Sequence, residues 1–172
     1  QVTINGTTIF NGTRGIVIGR STDVIISRVT FNRMIVDGIN IAGSQRVTIR
    51  GVSCTNARSG EAHPDCIQMW SRPGMVTQDV LVTGSSVDTA GMQGITAFNH
   101  IRAGVDDGGF DRIRVIGNSV RTNMAQGIAL YNCRKCEIRR NVVTTMPGAP
   151  SVVSINTAGS PDIVMAENQM VR

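Results

Sequence analysis

Hydrophobic and polar side chains alternate in short runs along this chain, and the alternation predicts strands rather than helices. In the segment 127–143, Ile128 and Leu130 point to one side, whereas Ala129 and Tyr131 point to the other. A period of two residues is that of a half-buried strand. A short polar turn and a second apolar run follow, so the segment predicts one full coil of a stacked β-structure.

Both strands of this unit recur in the same order through the whole sequence. The first strands align as GIVIG, GINIA, CIQMW, GITAF, GIALY and SVVSI, and the second strands start at Val2, Val24, Val47, Val80, Ile113, Cys136 and Ile163. The unequal steps reduce to a base repeat of about 23 residues with insertions at the corners, which a solenoid tolerates. The sequence therefore predicts one all-β domain over residues 1–172 that starts and ends within a coil.

Equivalent positions of successive coils should lie about 4.8 Å apart, in columns along the solenoid. One apolar column is expected to fill the interior, with Ile16, Ile39, Ile67, Ile95, Ile128 and Val152. Two columns of amides should satisfy turn backbone groups. They are Asn118, Asn141 and Asn168 above Ser85, and Asn99, Asn132 and Asn156. A further turn column holds Asp37, Asp65, Gln93 and Gln126.

Repeats of this length and pattern resemble the right-handed parallel β-helix of the pectate-lyase-like superfamily, over the whole chain. The resemblance implies a solenoid of about six to seven coils and a secreted, periplasmic or cell-surface protein that acts on polysaccharide. The chain starts at Gln1 with no signal peptide in view, so we expect a mature product or an excised fragment.

Catalytic motifs of several members of that superfamily are absent. The chain lacks the N-T-D, D-D and G-H-G set of polygalacturonases and the R-x-P-x-x-R motif of pectate lyases. His63-Pro64-Asp65 is similar in composition to the D-P-H-D of mannuronan epimerases but differs from it in order. Because the architecture carries many chemistries, the function has to be argued from individual residues.

Charge and hydropathy indicate which kinds of molecule the protein could bind. The formal net charge is +5, and Lys135 is the single lysine, so nearly all the positive charge is arginine. Arginine binds planar carboxylates through two N–H donors, which favours an acidic partner such as a uronate polysaccharide; a merely solvated basic surface is the alternative. No basic run interleaved with aromatics occurs and no apolar run reaches membrane-spanning length, so we expect neither nucleic acid nor membrane as a partner.

The four cysteines indicate structural roles. Cys54 and Cys66 flank the insertion 55–65, which a disulfide could clamp. However, Cys54 falls in an inward apolar column, so we predict a packed thiol. Cys133 and Cys136 form a lone C-x-x-C, which without a second pair is a weak signal for a metal or redox site, and we predict a structural use for both.

Outward side chains of the first strands predict a groove for sugars. Trp70, Phe98 and Tyr131 take the same outward position on consecutive coils, and Gln68 lies beside this stripe. Aromatic faces pack well against the C–H groups of sugar rings. In the alternative interpretation, the three aromatic side chains only stabilise one another.

Three insertions on the same coils, 55–65, 71–78 and 99–110, are predicted to form the walls of this groove. They carry two further predicted substrate contacts and the candidate catalytic residues. The contacts are Arg58 and Arg72, and the catalytic candidates are His63, Glu61, Asp65, His100 and Arg102.

A lyase or epimerase acting on uronates needs a base for the C5 proton and a group that neutralises the carboxylate. His63 or His100 could be the base, and we expect His63 to matter most because its pKa range suits proton transfer. Arg58, Arg72 or Arg102 could be the neutralising group.

A glycoside hydrolase would instead need two carboxyl groups about 5 to 9.5 Å apart. Glu61 or Asp65 against Asp106 or Asp107 are the candidate pairs. Asp65 also belongs to the turn column of Asp37, which favours a structural role. Asp106 and Asp107 are weak candidates for a calcium site, and no other metal or cofactor is expected.

Two classes of function stay open from the sequence. One is an enzyme on acidic polysaccharide, which the insertions and the two histidines favour. The other is a non-catalytic module that binds glycan or serves structure or assembly, which the short groove of a short chain favours. Neither end of the predicted solenoid shows a helical cap, so we also expect a homo-oligomer formed end to end, unless a missing part of the chain supplies the cap.

Overall fold

The computed structural model describes residues 1–58, 60, 63–99 and 107–172. Its strands, numbered β1 to β22 in chain order, form three sheets in which neighbouring strands run parallel. The chain visits the three sheets in turn, coil after coil, and the predicted all-β solenoid is confirmed. No helix in this part of the chain is long and apolar enough to cross a membrane.

Every full coil contributes one strand to each sheet. Sheet I contains β1 (Val2–Asn5), β4 (Thr22–Ser27), β7 (Gln45–Arg50), β10 (Thr77–Thr83), β14 (Arg114–Ile116), β18 (Glu137–Arg139) and β21 (Val164–Ala166), with β13 (Phe110–Asp111) and β17 (Cys133–Arg134) at its side. Sheet II contains β2 (Thr8–Phe10), β5 (Thr30–Asn32), β8 (Ser53–Thr55), β11 (Ser86–Asp88), β15 (Ser119–Thr122), β19 (Val142–Thr145) and β22 (Gln169–Val171). Sheet III contains β3 (Arg14–Gly19), β6 (Asp37–Ala42), β9 (Asp65–Trp70), β12 (Gln93–Phe98), β16 (Gln126–Leu130) and β20 (Ser154–Asn156).

The coil has three strands where the alternation of the sequence predicts two. The predicted first strand is the strand of sheet III, and the predicted second strand divides between sheets I and II. A residue with left-handed backbone separates the two parts, such as Arg28, Gly51 or Gly117, whose φ angles are 52°, 60° and 66°. Such a residue bends the chain, so one apolar run continues on two walls of the solenoid.

The interior column of isoleucines is confirmed except in the last coil. Ile67, Ile95 and Ile128 pair in register and are buried. Ile155, not Val152, pairs with Ile128, and Val152 is 50% exposed, so that prediction was wrong. A shift of three residues exchanges the inward and outward faces of a strand, because side chains alternate with a period of two. Val153, which is buried, lies on the inward side, whereas Val152 points outward.

Glycines allow sheets II and III to meet closely. A Cβ on Gly94 would lie 1.9 Å from the carbonyl oxygen of Gly127 and 2.8 Å from a methyl group of Val120. A Cβ on Gly127 would lie 2.5 Å from a methyl group of Val143. At Gly94 and Gly127, therefore, only a residue without a side chain fits before the inward isoleucine.

The first predicted amide column is confirmed as a hydrogen-bonded ladder. The side-chain oxygen of Asn118 accepts the N–H of Ser85, that of Asn141 accepts the N–H of Asn118, and that of Asn168 accepts the N–H of Asn141, at 2.9 to 3.1 Å. The amide nitrogen of Asn141 donates to the Val115 carbonyl at 2.9 Å. Turn groups that would be buried without partners are thus satisfied.

The second predicted amide column is confirmed only in part. The amide nitrogen of Asn132 donates to the side-chain oxygen of Asn99 at 2.9 Å. Asn156, however, pairs in register with Ala129 and accepts the N–H of Ala158, so its assignment to this column was wrong. The cause is the same register error that misplaced Val152.

Both cysteine pairs are disulfides, which corrects the prediction of a packed thiol at Cys54. Cys54 bonds Cys66, with Cα atoms 5.9 Å apart, and both residues are fully buried. The inward position of Cys54 does not exclude a disulfide, because Cys66 also faces inward at the adjacent corner. Cys133 bonds Cys136, with Cα atoms 5.8 Å apart, so both serve the structure as predicted, though by a bond that the sequence did not predict.

Apolar side chains are exposed on the first and last strands of the solenoid. Val2 and Phe10 lie at one end, and Met165 and Met170 lie at the other. The end-to-end homo-oligomer stays a prediction.

Candidate functional site

A network of polar side chains lies on the outer face of sheet III, on the side opposite the core isoleucines. The residues of this aspartate cluster are Asp37 and Asn40 of β6, Asp65 and Gln68 of β9, and Thr96 of β12. The amide of Asn40 donates to Asp37 Oδ2 at 2.9 Å and to Gln68 Oε1 at 3.1 Å. The amide of Gln68 donates to Asp65 Oδ2 at 2.9 Å, and the Thr96 hydroxyl donates to Asp65 Oδ1 at 2.8 Å. The main-chain N–H of Asp65 donates to Asp37 Oδ1 at 2.9 Å, so each carboxylate oxygen accepts a hydrogen bond.

The two carboxyl groups of the cluster are almost completely removed from water. Asp65 is 1% exposed and Asp37 is 2% exposed. Burial raises the pKa of Asp65 to about 8; the hydrogen bond from Thr96 opposes this rise, and the charge of Asp37 adds to it. Burial also raises the pKa of Asp37, against the hydrogen bonds from the Asp65 N–H and Asn40 and the charge of Arg14. At neutral pH the pair therefore holds a proton, mainly on Asp65.

The turn column predicted from the sequence runs through this cluster. Arg14 pairs in register with Asp37, and its Nε lies 3.8 Å from Asp37 Oδ2. Gln93 pairs with Asp65, and Gln126 follows one coil later. The side-chain oxygens of Gln93 and Gln126 are buried, and neither has a hydrogen-bond partner in the described part of the chain. The column therefore changes along the solenoid axis from charged groups to amides.

The predicted aromatic stripe lies next to the cluster. Trp70 pairs in register with Phe98, and Phe98 precedes Tyr131 in the same column. The rings of Phe98 and Tyr131 have centroids 5.0 Å apart and are tilted by 40°. All three side chains are half-buried, so each ring still presents surface to the outside. Trp70 and Phe98 stand two residues after Gln68 and Thr96, which makes the stripe and the cluster one continuous outer face.

Three predicted site residues lie around this face without joining the cluster. His63 is exposed, directly before the buried Pro64. Arg58 is exposed and donates to Asn11 Oδ1 at 2.8 Å. Arg72 is exposed on the loop after β9, where its carbonyl accepts the N–H of Met75 at 2.8 Å. Among the described residues, no hydrogen bond or ion pair links these three to the cluster.

Other predicted residues lie outside the described residues, namely Glu61, His100, Arg102 and Asp106. Asp107 is described and is 2% exposed, and its Oδ1 accepts the N–H of Gly109 at 3.1 Å. Within the described ranges, no three His, Cys, Asp or Glu side chains are grouped as metal ligands. Calcium binding stays a prediction.

Asp37, Asn40 and Thr96 were not predicted as site residues. A signal for two of them is present in the sequence, because Asp37-x-x-Asn40 and Asp65-x-x-Gln68 repeat the same acid–amide spacing on consecutive coils. Thr96 has no such signal. Its hydroxyl matters only because the register of β12 on β9 places it beside Asp65.

Comparison with known proteins concerns the fold. A family model described as a right-handed beta helix region matches residues 1–169. No curated protein and no solved structure matches the chain significantly. Since the family match speaks for architecture alone, a ligand has to be argued from the outer face of sheet III.

Proposed function

The chain belongs to the right-handed beta helix family, and we propose that it binds an acidic polysaccharide on the outer face of sheet III. The observation that carries the proposal is the register of Trp70, Phe98 and Tyr131 on consecutive coils. Coils lie about 4.8 Å apart, so the three half-buried rings make a continuous apolar track along the solenoid axis. A sugar chain that runs along this axis could pack its C–H faces on the track.

The preference for an acidic glycan rests on charge. The chain carries a formal net charge of +5, almost entirely from arginine. Arg58 and Arg72 are exposed on segments that flank β9, and neither forms an ion pair in the described part of the chain. A guanidinium without a carboxylate partner is available to bind the carboxylate of a uronate.

Binding is tested with polygalacturonate, alginate and a neutral glucan, measured by affinity electrophoresis and calorimetry. Trp70→Ala should weaken the binding of the acidic polymers by about tenfold or more, because the ring supplies stacking area. Phe10→Ala is the matched control, since Phe10 is exposed on β2 of sheet II. Equal affinity of Trp70→Ala and the parent, at equal melting temperature, would contradict the proposal.

A second candidate function is proton transfer to a bound uronate by Asp65, and the raised pKa of that carboxyl favours it. A carboxylic acid that stays neutral at neutral pH can donate a proton or a hydrogen bond to a developing charge. Its burial and saturated hydrogen bonds favour the alternative, a non-catalytic module in which the cluster only holds the coils together.

Catalysis is measured by the ultraviolet absorbance of newly formed unsaturated uronate, with Asp65→Asn and His63→Ala as variants. A lyase that uses Asp65 should lose activity in Asp65→Asn while it still binds polymer. Activity that disappears only in His63→Ala would return the catalytic role to the exposed histidine. If the parent protein binds the polymers but never produces unsaturated sugar, the protein is not a lyase, and the non-catalytic module is the remaining interpretation.

A further inference from the structure

A cavity of about 340 Å³ opens at the end of the aromatic stripe nearest the N-terminus. Arg20, Thr22, Gln45, Met75 and Gln78 are among the residues that line it. The loop that follows Trp70 forms one wall, and the turns that lead from sheet III into sheet I form the other. Its volume lies at the lower end of the range of about 300 to 1,000 Å³ that is usual for small-ligand sites, which suits one sugar unit rather than a chain.

Local packing holds the loop of this cavity in place. The N–H of Met75 donates to the Arg72 carbonyl at 2.8 Å and closes a tight turn. The Met75 side chain then packs on Gly43, where a Cβ would lie 2.9 Å from the Met75 methyl carbon. Gly43 also has left-handed backbone, with a φ of 55°, so the sequence provides both the space and the turn for this contact.

The cavity lining carries hydrogen-bond donors of Arg20 and Gln45 that are available to a ligand. The Arg20 guanidinium donates to the Met75 sulfur at 3.7 Å and forms no ion pair in the described part of the chain. The side-chain oxygen of Gln45 accepts the amide of Gln78 at 2.9 Å, and the side-chain oxygen of Gln78 accepts Arg112 at 3.1 Å. With both amide oxygens occupied, the amide hydrogens of Gln45 and the guanidinium of Arg20 are left to bind an oxyanion.

The acidic groups that directly follow lining residues are already paired with arginines, Asp23 with Arg46 and Asp79 with Arg112. Asp23 follows the lining residue Thr22, and its two carboxylate oxygens accept Arg46 at 2.7 and 3.0 Å. The Thr22 hydroxyl is engaged in the same group of contacts. The positive charge of Arg20 is therefore not cancelled from this side.

We propose that this cavity binds the carboxylate-bearing ring of one uronate unit of the polysaccharide, an inference that rests on the proposed function. Gly19 and Ala42 continue the column of Trp70 toward the N-terminus, and Arg20 and Gly43 directly follow them in sequence. Arg20 therefore lies about two coils, or roughly 10 Å, from Trp70 along the axis. A chain stacked on the aromatic stripe brings its next units to the cavity, where Arg20 and Gln45 hold the acid group.

The probe is a short oligogalacturonate, compared with the same oligomer after its carboxyl groups are reduced to alcohols. Arg20→Gln should weaken binding of the acidic oligomer by about tenfold or more because a bidentate charged contact is lost. Gln45→Glu should weaken it further, since an isosteric carboxylate repels the ligand. Neither variant should change the weaker binding of the reduced oligomer.

Arg28→Gln is the matched control. Arg28 is an exposed arginine with left-handed backbone, φ 52° against 48° for Arg20, and it lies at the corner between sheets I and II. Its replacement should leave the affinity unchanged, and melting temperatures should confirm that all three variants fold.

The outcomes separate this inference from the function on which it rests. Binding that Trp70→Ala weakens but Arg20→Gln and Gln45→Glu leave intact would overturn the cavity as the carboxylate site and keep the stripe. A parent protein that does not bind the oligomer would overturn both. An equal loss in Arg28→Gln would show a general charge effect and would also overturn the cavity.

Discussion

Two pairs of aspartates on this solenoid lie in opposite environments. Asp23 and Asp79 lie at the exposed corner where the chain enters sheet I, and each binds an arginine one coil further on. The arginines are Arg46 and Arg112, and their nitrogens lie 2.6 to 3.0 Å from the carboxylate oxygens. The aspartate cluster on sheet III is buried instead, and amides and a hydroxyl surround its carboxyl groups.

The pKa values of the two pairs move in opposite directions. Hydrogen bonds from Arg46 and then Thr22 lower the pKa of Asp23 to about 2. The hydrogen bond from Arg112 lowers the pKa of Asp79 as well. Burial raises that of Asp65 to about 8. On the same repeating backbone, a cation keeps an exposed acid charged, whereas desolvation keeps a buried acid neutral. Of these two pairs, the buried one can therefore offer a proton at neutral pH.

The largest expected effect concerns the pH dependence of stability through Asp65. The folded state keeps its proton up to about pH 8, whereas the unfolded chain releases it near pH 4, so stability falls as pH rises between these values. We expect the free energy of unfolding to fall by up to about 1.4 kcal/mol per pH unit in this window. Asp65→Asn should remove most of the slope, because an amide does not titrate.

Urea unfolding at steps from about pH 4 to about pH 9 measures this slope. Asp162→Asn is the control, since Asp162 is exposed and the variant should keep the slope of the parent. A slope that survives in Asp65→Asn would show that the cluster does not hold the proton.

A smaller effect on stability is expected in the asparagine ladder, which is buried and polar but carries no charge. Asn141 is fully buried; its side chain binds the N–H of Asn118 and the carbonyl of Val115 on the preceding coil and the side-chain oxygen of Asn168 on the next. Asn141→Leu should cost about 1–3 kcal/mol at every pH, because it leaves these groups without partners. Asn156→Leu is the control at a half-buried asparagine outside the ladder, and it should cost less than about 0.5 kcal/mol. Equal urea midpoints for the two variants would show that the ladder does not contribute to stability as expected.

The smallest effect is expected at the exposed ion pairs. Arg112→Gln removes the partner of Asp79 and should leave stability at neutral pH close to that of the parent, because water and salt screen the pair. A lowered pKa of Asp79 stabilises the folded state at pH values above the pKa of Asp79 in the unfolded chain, and this stabilisation is lost as pH falls. The small difference in stability between variant and parent should therefore be largest above about pH 4 and should vanish in stronger acid. Thermal melts across this acid range, at low and high salt, test it. A large loss of stability at neutral pH that added salt does not reduce would contradict the expectation that water and salt screen this ion pair.

The sequence by itself determined the solenoid and most of its columns. Alternation decides which side chains face inward, and the coil repeat decides which residues stack, so Ile95 on Ile67 and Phe98 on Trp70 follow from spacing alone. The ladder through Asn141 follows for the same reason. Each of these features depends on a local period that stacking simply repeats.

Only the tertiary structure decided the features that depend on how the three sheets meet and on the register of the last coil. The last coil has apolar residues on both faces of its strand segment, Val152 on one and Val153 and Ile155 on the other, and packing places Ile155 against Ile128. Cys54 and Cys66 face the same interior from two adjacent sheets, which a strand pattern cannot show. The raised pKa of Asp65 results from burial, to which the charge of Asp37 adds and which the hydrogen bond from Thr96 opposes. A pKa depends on the surrounding solvent and charges, and here residues far apart in sequence set both.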